Sequence, residues 1–166
     1  MEKIRVSKLL SELGLCSRRE ADSYIEQGLV TVDGEPIHEL GTRAYRHQTI
    51  ALRAGAKRQQ EQRLTLLLNK PVGYISHLDD EQQYKPAASL ITPENQFAAA
   101  PDQTQRLHFR GLAPAGRLDI DSSGLLVLTQ DGRIAKLLIG EDSPIEKEYL
   151  VRVSGQLSDA GLRSLQ

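Results

Sequence analysis

Four consecutive apolar residues, Leu125-Leu126-Val127-Leu128, closed by the turn pair Asp131-Gly132, place the tightest local constraint on this chain. The run is too short for a helix of usual length and is bounded by turn residues, which predicts a strand buried on both faces. The loop that feeds it carries Arg117, Asp119 and Asp121. A charged loop fixed by a buried strand suits chemistry, because the core holds the backbone while the side chains face a cleft. Taken alone, Asp119 reads first as a turn residue whose side chain bonds nearby amides.

The whole string, GRLDIDSSGLLVLTQDG from Gly116 to Gly132, changes that reading. It resembles the signature of the RsuA-type family of ribosomal RNA pseudouridine synthases, which carry GRLD, a GLL-type strand and a Thr-Asn/Gln-Asp/His-Gly turn. The match is long and nearly gapless, so it is far more specific than a short glycine pattern. The resemblance implies that Asp119 is the catalytic aspartate and that Arg117 helps displace the target base.

Length and composition set the frame. The 166 residues suffice for one ordinary domain, or a small one plus part of another. No apolar run approaches bilayer length and no signal-peptide core opens the chain, so a cytoplasmic protein with no membrane contact is expected. Cys16 is the sole cysteine, which excludes an intrachain disulfide and a cysteine-based metal cluster. His77 and His108 lack metal-ligand spacing, so no metal site is expected. The net charge of -1 divides unevenly: residues 1–70 hold 12 Lys/Arg and 9 Asp/Glu, residues 71–166 hold 9 and 13. The mildly basic front half suits a polyanion. Aromatics are too few, at 4%, for rows of base-stacking rings.

Val6, Leu9, Leu10 and Leu13 follow one helix face, which Gly14 stops. Ser17 and Glu20 predict a capping box for a second helix with the stripe Ala21, Tyr24, Ile25, ended by Gly28. Asp33-Gly34 predicts a hairpin turn, and Thr49 to Arg53 a further strand. Arg18 and Arg19 fall in the first turn of the second helix, where positive charge opposes the macrodipole, a placement that suits an external anion as well as a solvated face. RVSKLLSELGLCSRREADSYIEQGLVTVDG is similar to the α-L RNA-binding module that precedes the catalytic domain in this family. That resemblance implies phosphate contacts by Arg5, Lys8, Arg18 and Arg19. Cys16 reads as a small core residue.

Residues 54–63, without a large apolar side chain, read as an interdomain linker. Leu64 to Leu68 has a buried-strand pattern, and the LLNKPVG string that runs on from its end, Leu67 to Gly73, also resembles the family, at the start of the catalytic domain. Lys70 is either a phosphate contact, the reading favoured here, or a solvated cation. Residues 77–114 are loosened by Pro86, Pro93, Pro101 and Pro114, with a brief helix at Ala87 to Ile91, and suit a lid or an RNA-contacting insertion. Ile134, Leu137 and Leu138 mark a helix ending near Gly140. Lys147 to Val153 alternates as a strand, with Tyr149, Val151 and Val153 on one side. Tyr149 is a core ring by residue type alone; by resemblance of EKEYLV to the family it stacks on the target base. Ser158 caps a last helix containing Leu162 and Leu165.

The implied fold class is α+β: an α-L RNA-binding module at 1–53 (two helices and a small hairpin sheet), a linker at 54–63, and part of a mixed, mainly antiparallel synthase domain at 64–166. The family's domain continues with an Arg-rich motif not found in this chain, so a fragment or shortened form is expected. The implied reaction, isomerisation of a specific uridine to pseudouridine in RNA, needs no cofactor. RNA, ribosomal above all, is the expected partner of a monomer. Whether an ionised Asp119 attacks covalently or removes a sugar proton stays open. The competing reading is a non-catalytic RNA-binding or ribosome-assembly protein with a remnant synthase domain. A nucleotide-binding α/β protein is disfavoured, because no phosphate-cradling glycine loop follows a strand.

Overall fold

The computed structural model describes residues 2–77, 83–97, 109–156 and 158–164. The N-terminal elements are β1 (Ile4–Arg5), α1 (Val6–Glu12), α2 (Arg18–Glu26), β2 (Val30–Val32), β3 (Glu35–Ile37), β4 (Arg43–Ala44), β5 (Ile50–Leu52) and α3 (Ala54–Glu61). Val6, Leu9 and Leu10 of α1 pack with Ala21, Tyr24 and Ile25 of α2 over Val30 and Leu52 of the antiparallel sheet β3-β2-β5. Each large apolar side chain fully buried in this way contributes about 1.5–3 kcal/mol. Leu13, expected on the same face, lies past the end of α1 and is exposed. The capping box of α2 is complete: Ser17 Oγ accepts from Glu20 N, and Glu20 Oε2 accepts from Ser17 N at 2.5 Å. Asp33 adopts φ 52° in the β2–β3 turn, the left-handed region that an Asp-Gly hairpin turn requires.

Most of the stretch read as an interdomain linker is helical: Ala54–Glu61 form α3. Ala56 is buried in the N-terminal core, Arg53 donates to Gly28 O at 3.0 Å, and Gln60 donates to Leu15 O at 2.7 Å. The helix is held by a small residue and polar tertiary contacts, so it leaves no apolar stripe in the sequence.

The second part comprises β6 (Thr65–Lys70), β7 (Tyr74–Ile75), β8 (Lys85–Pro86), β9 (Ala113–Pro114), β10 (Gly124–Thr129), α4 (Gly132–Ile139) and α5 (Asp159–Arg163). β10 pairs antiparallel with β6 over its whole length, from Gly124↔Lys70 to Thr129↔Thr65, and with β9 at its far end. Leu126 and Leu128 point to a small core with Ala87, Leu68, Tyr74, Ile91, Leu112 and Leu118. The expectation of a strand buried on both faces is half right. Leu125 is 68% exposed and Leu67 on β6 is 73% exposed, because the described elements cover only one face of this three-stranded sheet.

One further expectation changes. Residues 147–153 do not form a strand: they have no ladder partner among the described residues, and Leu150, Val151 and Val153 are exposed. The brief helix expected at Ala87 to Ile91 is present as a 3-10 helix over Ala87–Leu90. Of the loose 77–114 region, residues 78–82 and 98–108, with His108 and Pro101, lie outside the described residues, as does Leu165. Among the described residues no helix is long and apolar enough to cross a membrane.

Candidate active site and nucleic-acid interface

Asp119 sits in the loop between β9 and β10, and its backbone is gripped on both flanks. On one side the buried Ser76 hydroxyl donates to Leu118 O at 2.6 Å and accepts from Leu118 N at 2.8 Å. One hydroxyl thereby satisfies both backbone groups of the residue before Asp119. On the other side Gly73 N donates to Ile120 O at 2.8 Å, with Gly73 at φ 85°, a conformation that favours glycine. Ser122 N donates to Asp119 O at 3.0 Å and closes the turn. The Asp119 side chain itself is exposed and has no hydrogen bond or ion pair among the described residues. A fixed backbone carrying an uncommitted carboxylate is the arrangement a nucleophile or base needs.

Lys70 is placed differently from the phosphate contact favoured above. It is fully buried at the end of β6, and its ammonium donates to Pro71 O at 3.1 Å and Tyr74 O at 2.7 Å. It therefore ties the Pro71–Tyr74 turn from within, and that turn supplies Gly73 and leads into Ser76. The sequence offered only an exposed-looking KPVG turn; the inward direction follows from the strand register, which sets Lys70 opposite Gly124.

Arg117 is exposed, and no ion pair joins it to Asp119 among the described residues. Tyr149 is 65% exposed on the extended segment that follows α4. No hydrogen bond or ring contact joins it to the Asp119 loop among the described residues.

A second feature lies on the N-terminal part. A groove of about 690 Å³ is lined by Lys3, Arg5, Lys8, Arg18, Arg43 and Arg46, with only Glu2 and Asp22 in opposition. It collects three of the four cations expected to meet RNA; Arg19 is not among its lining. Sequence reasoning missed Arg43 and Arg46, because β1 pairs with β4 across the intervening module and sets Arg5 directly opposite Arg43. Like charges in register repel, so the pairing favours an external anion between them. Arg46 donates to Glu12 at 2.8 Å and holds that carboxyl below its usual range, while Arg43 donates to Lys3 O at 3.2 Å. Cys16 is core: burial, helped by the Glu20 charge, pushes its thiol up to about 12, which removes it from thiolate chemistry near neutrality.

Comparison with known proteins matches both parts. A family described as RNA pseudouridylate synthase matches residues 64–163, and the S4 domain matches residues 4–44. The chain is 32% identical over 164 residues to the "Dual-specificity RNA pseudouridine synthase RluF" of Escherichia coli (strain K12), covering 98% of this chain and 51% of that protein. It is 35% identical over 162 residues to the "Ribosomal large subunit pseudouridine synthase B" of Bacillus subtilis (strain 168), covering 98% and 60%. An "Uncharacterized RNA pseudouridine synthase" of Aquifex aeolicus is 32% identical over 98% of this chain and 63% of its own length. The chain thus spans about half to three-fifths of the length of these curated relatives. With an S4 domain ahead of a synthase domain that carries GRLD on a strand-anchored loop, the chain belongs to the RNA pseudouridylate synthase family, in its RsuA-type branch.

Proposed function

We propose that this chain converts a specific uridine in ribosomal RNA to pseudouridine, with residues 1–53 gripping the RNA and residues 64–166 carrying the chemistry. The observation that carries the proposal is the exposed Asp119 carboxylate, free of partners among the described residues, on a backbone gripped at Leu118 and Ile120. The names of the relatives, among them a large-subunit synthase, support ribosomal RNA as the substrate.

The reaction breaks the bond between uracil N1 and the ribose C1′, turns the ring, and joins C5 to C1′. N1 gains a proton and C5 loses one, so the uridine is isomerised without oxidant or reductant. Asp119 either adds covalently and leaves again or removes a sugar proton; in both routes an ionised carboxylate must meet the sugar or base. The uridine first leaves its stack, at a cost of a few kcal/mol, and Arg117 fills the place it vacates. Tyr149 stacks on the extruded ring. For this its segment must move from the exposed position it holds here, a rearrangement that RNA binding drives. The groove cations bind phosphate, while sequence choice comes from a loop or bulge presented to the Asp119 side. Lys70, buried under the turn, supports Asp119 rather than touching RNA.

The exposed position of Tyr149, without a hydrogen bond or ring contact among the described residues, favours one other reading, a non-catalytic RNA-binding protein. Release of tritium from RNA labelled at uracil C5 separates the two: the enzyme releases it, and an RNA-binding remnant retains it at every protein concentration.

A further inference from the structure

One carboxylate joins the two parts of the molecule. Glu20 Oε2 accepts from Ser17 N at the start of α2, while Glu20 Oε1 accepts at 3.1 Å from Gly132 N at the start of α4. Two positive helix ends would otherwise meet there unopposed; Glu20 and Asp131 supply the negative charge both require. Arg63 completes the clasp, with its guanidinium on Glu20, on Tyr24 OH at 2.6 Å, and 3.8 Å from Asp131. Arg133 donates to Asp131 at 2.6 Å. The side chains of Arg63, Glu20 and Asp131 are 16%, 13% and 8% exposed. Largely desolvated ions of this kind are stable only when each has its partners, and here two guanidiniums meet two carboxylates.

The clasp has the placement of a ruler. Arg18, which lines the cationic groove, stands two residues before Glu20 on α2. Gly132 stands three residues after β10, and the start of β10 follows the Asp119 loop. β10, six residues long, separates the loop from the clasp by about 20 Å. Resting on the function proposed above, we infer that Glu20 and Arg63 are positioning residues: they lock the groove to the Asp119 loop in one orientation, so that the target uridine is chosen by a fixed offset from the gripped phosphates.

Gly132→Ala tests this without altering a charge, because a Cβ there would lie 2.5 Å from Ser17 Cβ and must force the two helix ends apart. Glu20→Gln is the second variant; its one oxygen can serve only one of the two amides, its NH2 group faces the other, and the ion pair with Arg63 is lost. Each is compared with the unaltered 166-residue chain on unmodified large-subunit ribosomal RNA transcribed in vitro. Binding affinity and its salt dependence should stay within about twofold, since the groove is intact. The kcat for the preferred uridine should fall at least tenfold with KM little changed, and product should appear at neighbouring uridines. In thermal unfolding the unaltered chain should melt in one transition and both variants in two. Unchanged kcat and site choice in both variants would overturn the inference, as would two transitions in the unaltered chain. If the unaltered chain forms no pseudouridine, the proposed function fails, and the melting profiles alone decide whether the clasp locks the two parts together.

Discussion

Ser76 and Leu118, 42 residues apart, are joined by two hydrogen bonds through a single hydroxyl, one donated at 2.6 Å and one accepted at 2.8 Å. The residue so held is the immediate neighbour of Asp119. Ser76→Ala leaves the Leu118 amide and carbonyl unpaired in a largely closed site, which costs about 1–3 kcal/mol. Denaturant unfolding should show that loss, and pseudouridine formation should lose kcat rather than gain KM. Normal kcat in Ser76→Ala would mean that the brace does not govern the position of Asp119.

Lys70→Met separates support from RNA contact. The variant strands the Pro71 and Tyr74 carbonyls, so stability should fall by about 1–3 kcal/mol. The slope of RNA affinity against salt should not change, because the ammonium is fully buried. A slope reduced by about 1 would show that Lys70 does neutralise a phosphate.

Arg43→Ala and Arg46→Ala address the cations that the fold adds to the groove. Each should lower the salt slope of RNA binding by about 1 if its side chain meets one phosphate. Arg46→Ala also releases Glu12 from its ion pair. Its effect on affinity should therefore be the smaller of the two, since breaking that pair already offsets part of any phosphate contact. Filter binding across a salt series measures both.

Asp131 gives a pH signature. Burial alone would raise its carboxyl, but the hydrogen bonds from the Arg133 side chain and backbone outweigh it and hold the group below its ordinary value of 3.8. The unfolded chain therefore binds the proton more readily than the folded one. The stability that Asp131 contributes is complete above the unfolded value and is lost as pH falls from about 4 through the lower folded value. Asp131→Asn should flatten acid unfolding in that window while leaving the slope between pH 5 and 7 unchanged.

How much of this was legible depended on how local each cause was. The capping box, the Asp-Gly hairpin and the Leu125–Leu128 strand were readable because neighbours in sequence determine them. α3 escaped a search for apolar periodicity, although its Ala, Lys, Arg, Gln and Glu residues are strong helix formers, a signal of propensity rather than pattern. The exposed face of β10 was hidden because an apolar run records what a strand can bury and not what covers it. Arg43 reached the groove, and Glu20 reached Gly132, through pairings 38 and 112 residues apart. Among the residues expected to act, Asp119 has an anchored backbone and an exposed side chain, whereas Lys70 turned inward because its strand register points it beneath the turn. The alternation around Tyr149 predicts a strand, yet alternation supplies no ladder partner.

Asp119→Asn offers the most direct measurement. The substitution keeps the size and polarity of an exposed side chain that has no partner among the described residues, so fold and RNA affinity should match the unaltered chain. Under single-turnover conditions, with RNA labelled at uracil C5, tritium release should fall by at least a thousandfold, roughly 4 kcal/mol of barrier. Release by Asp119→Asn at the rate of the unaltered chain would remove this carboxylate from the chemistry and contradict the account built on it.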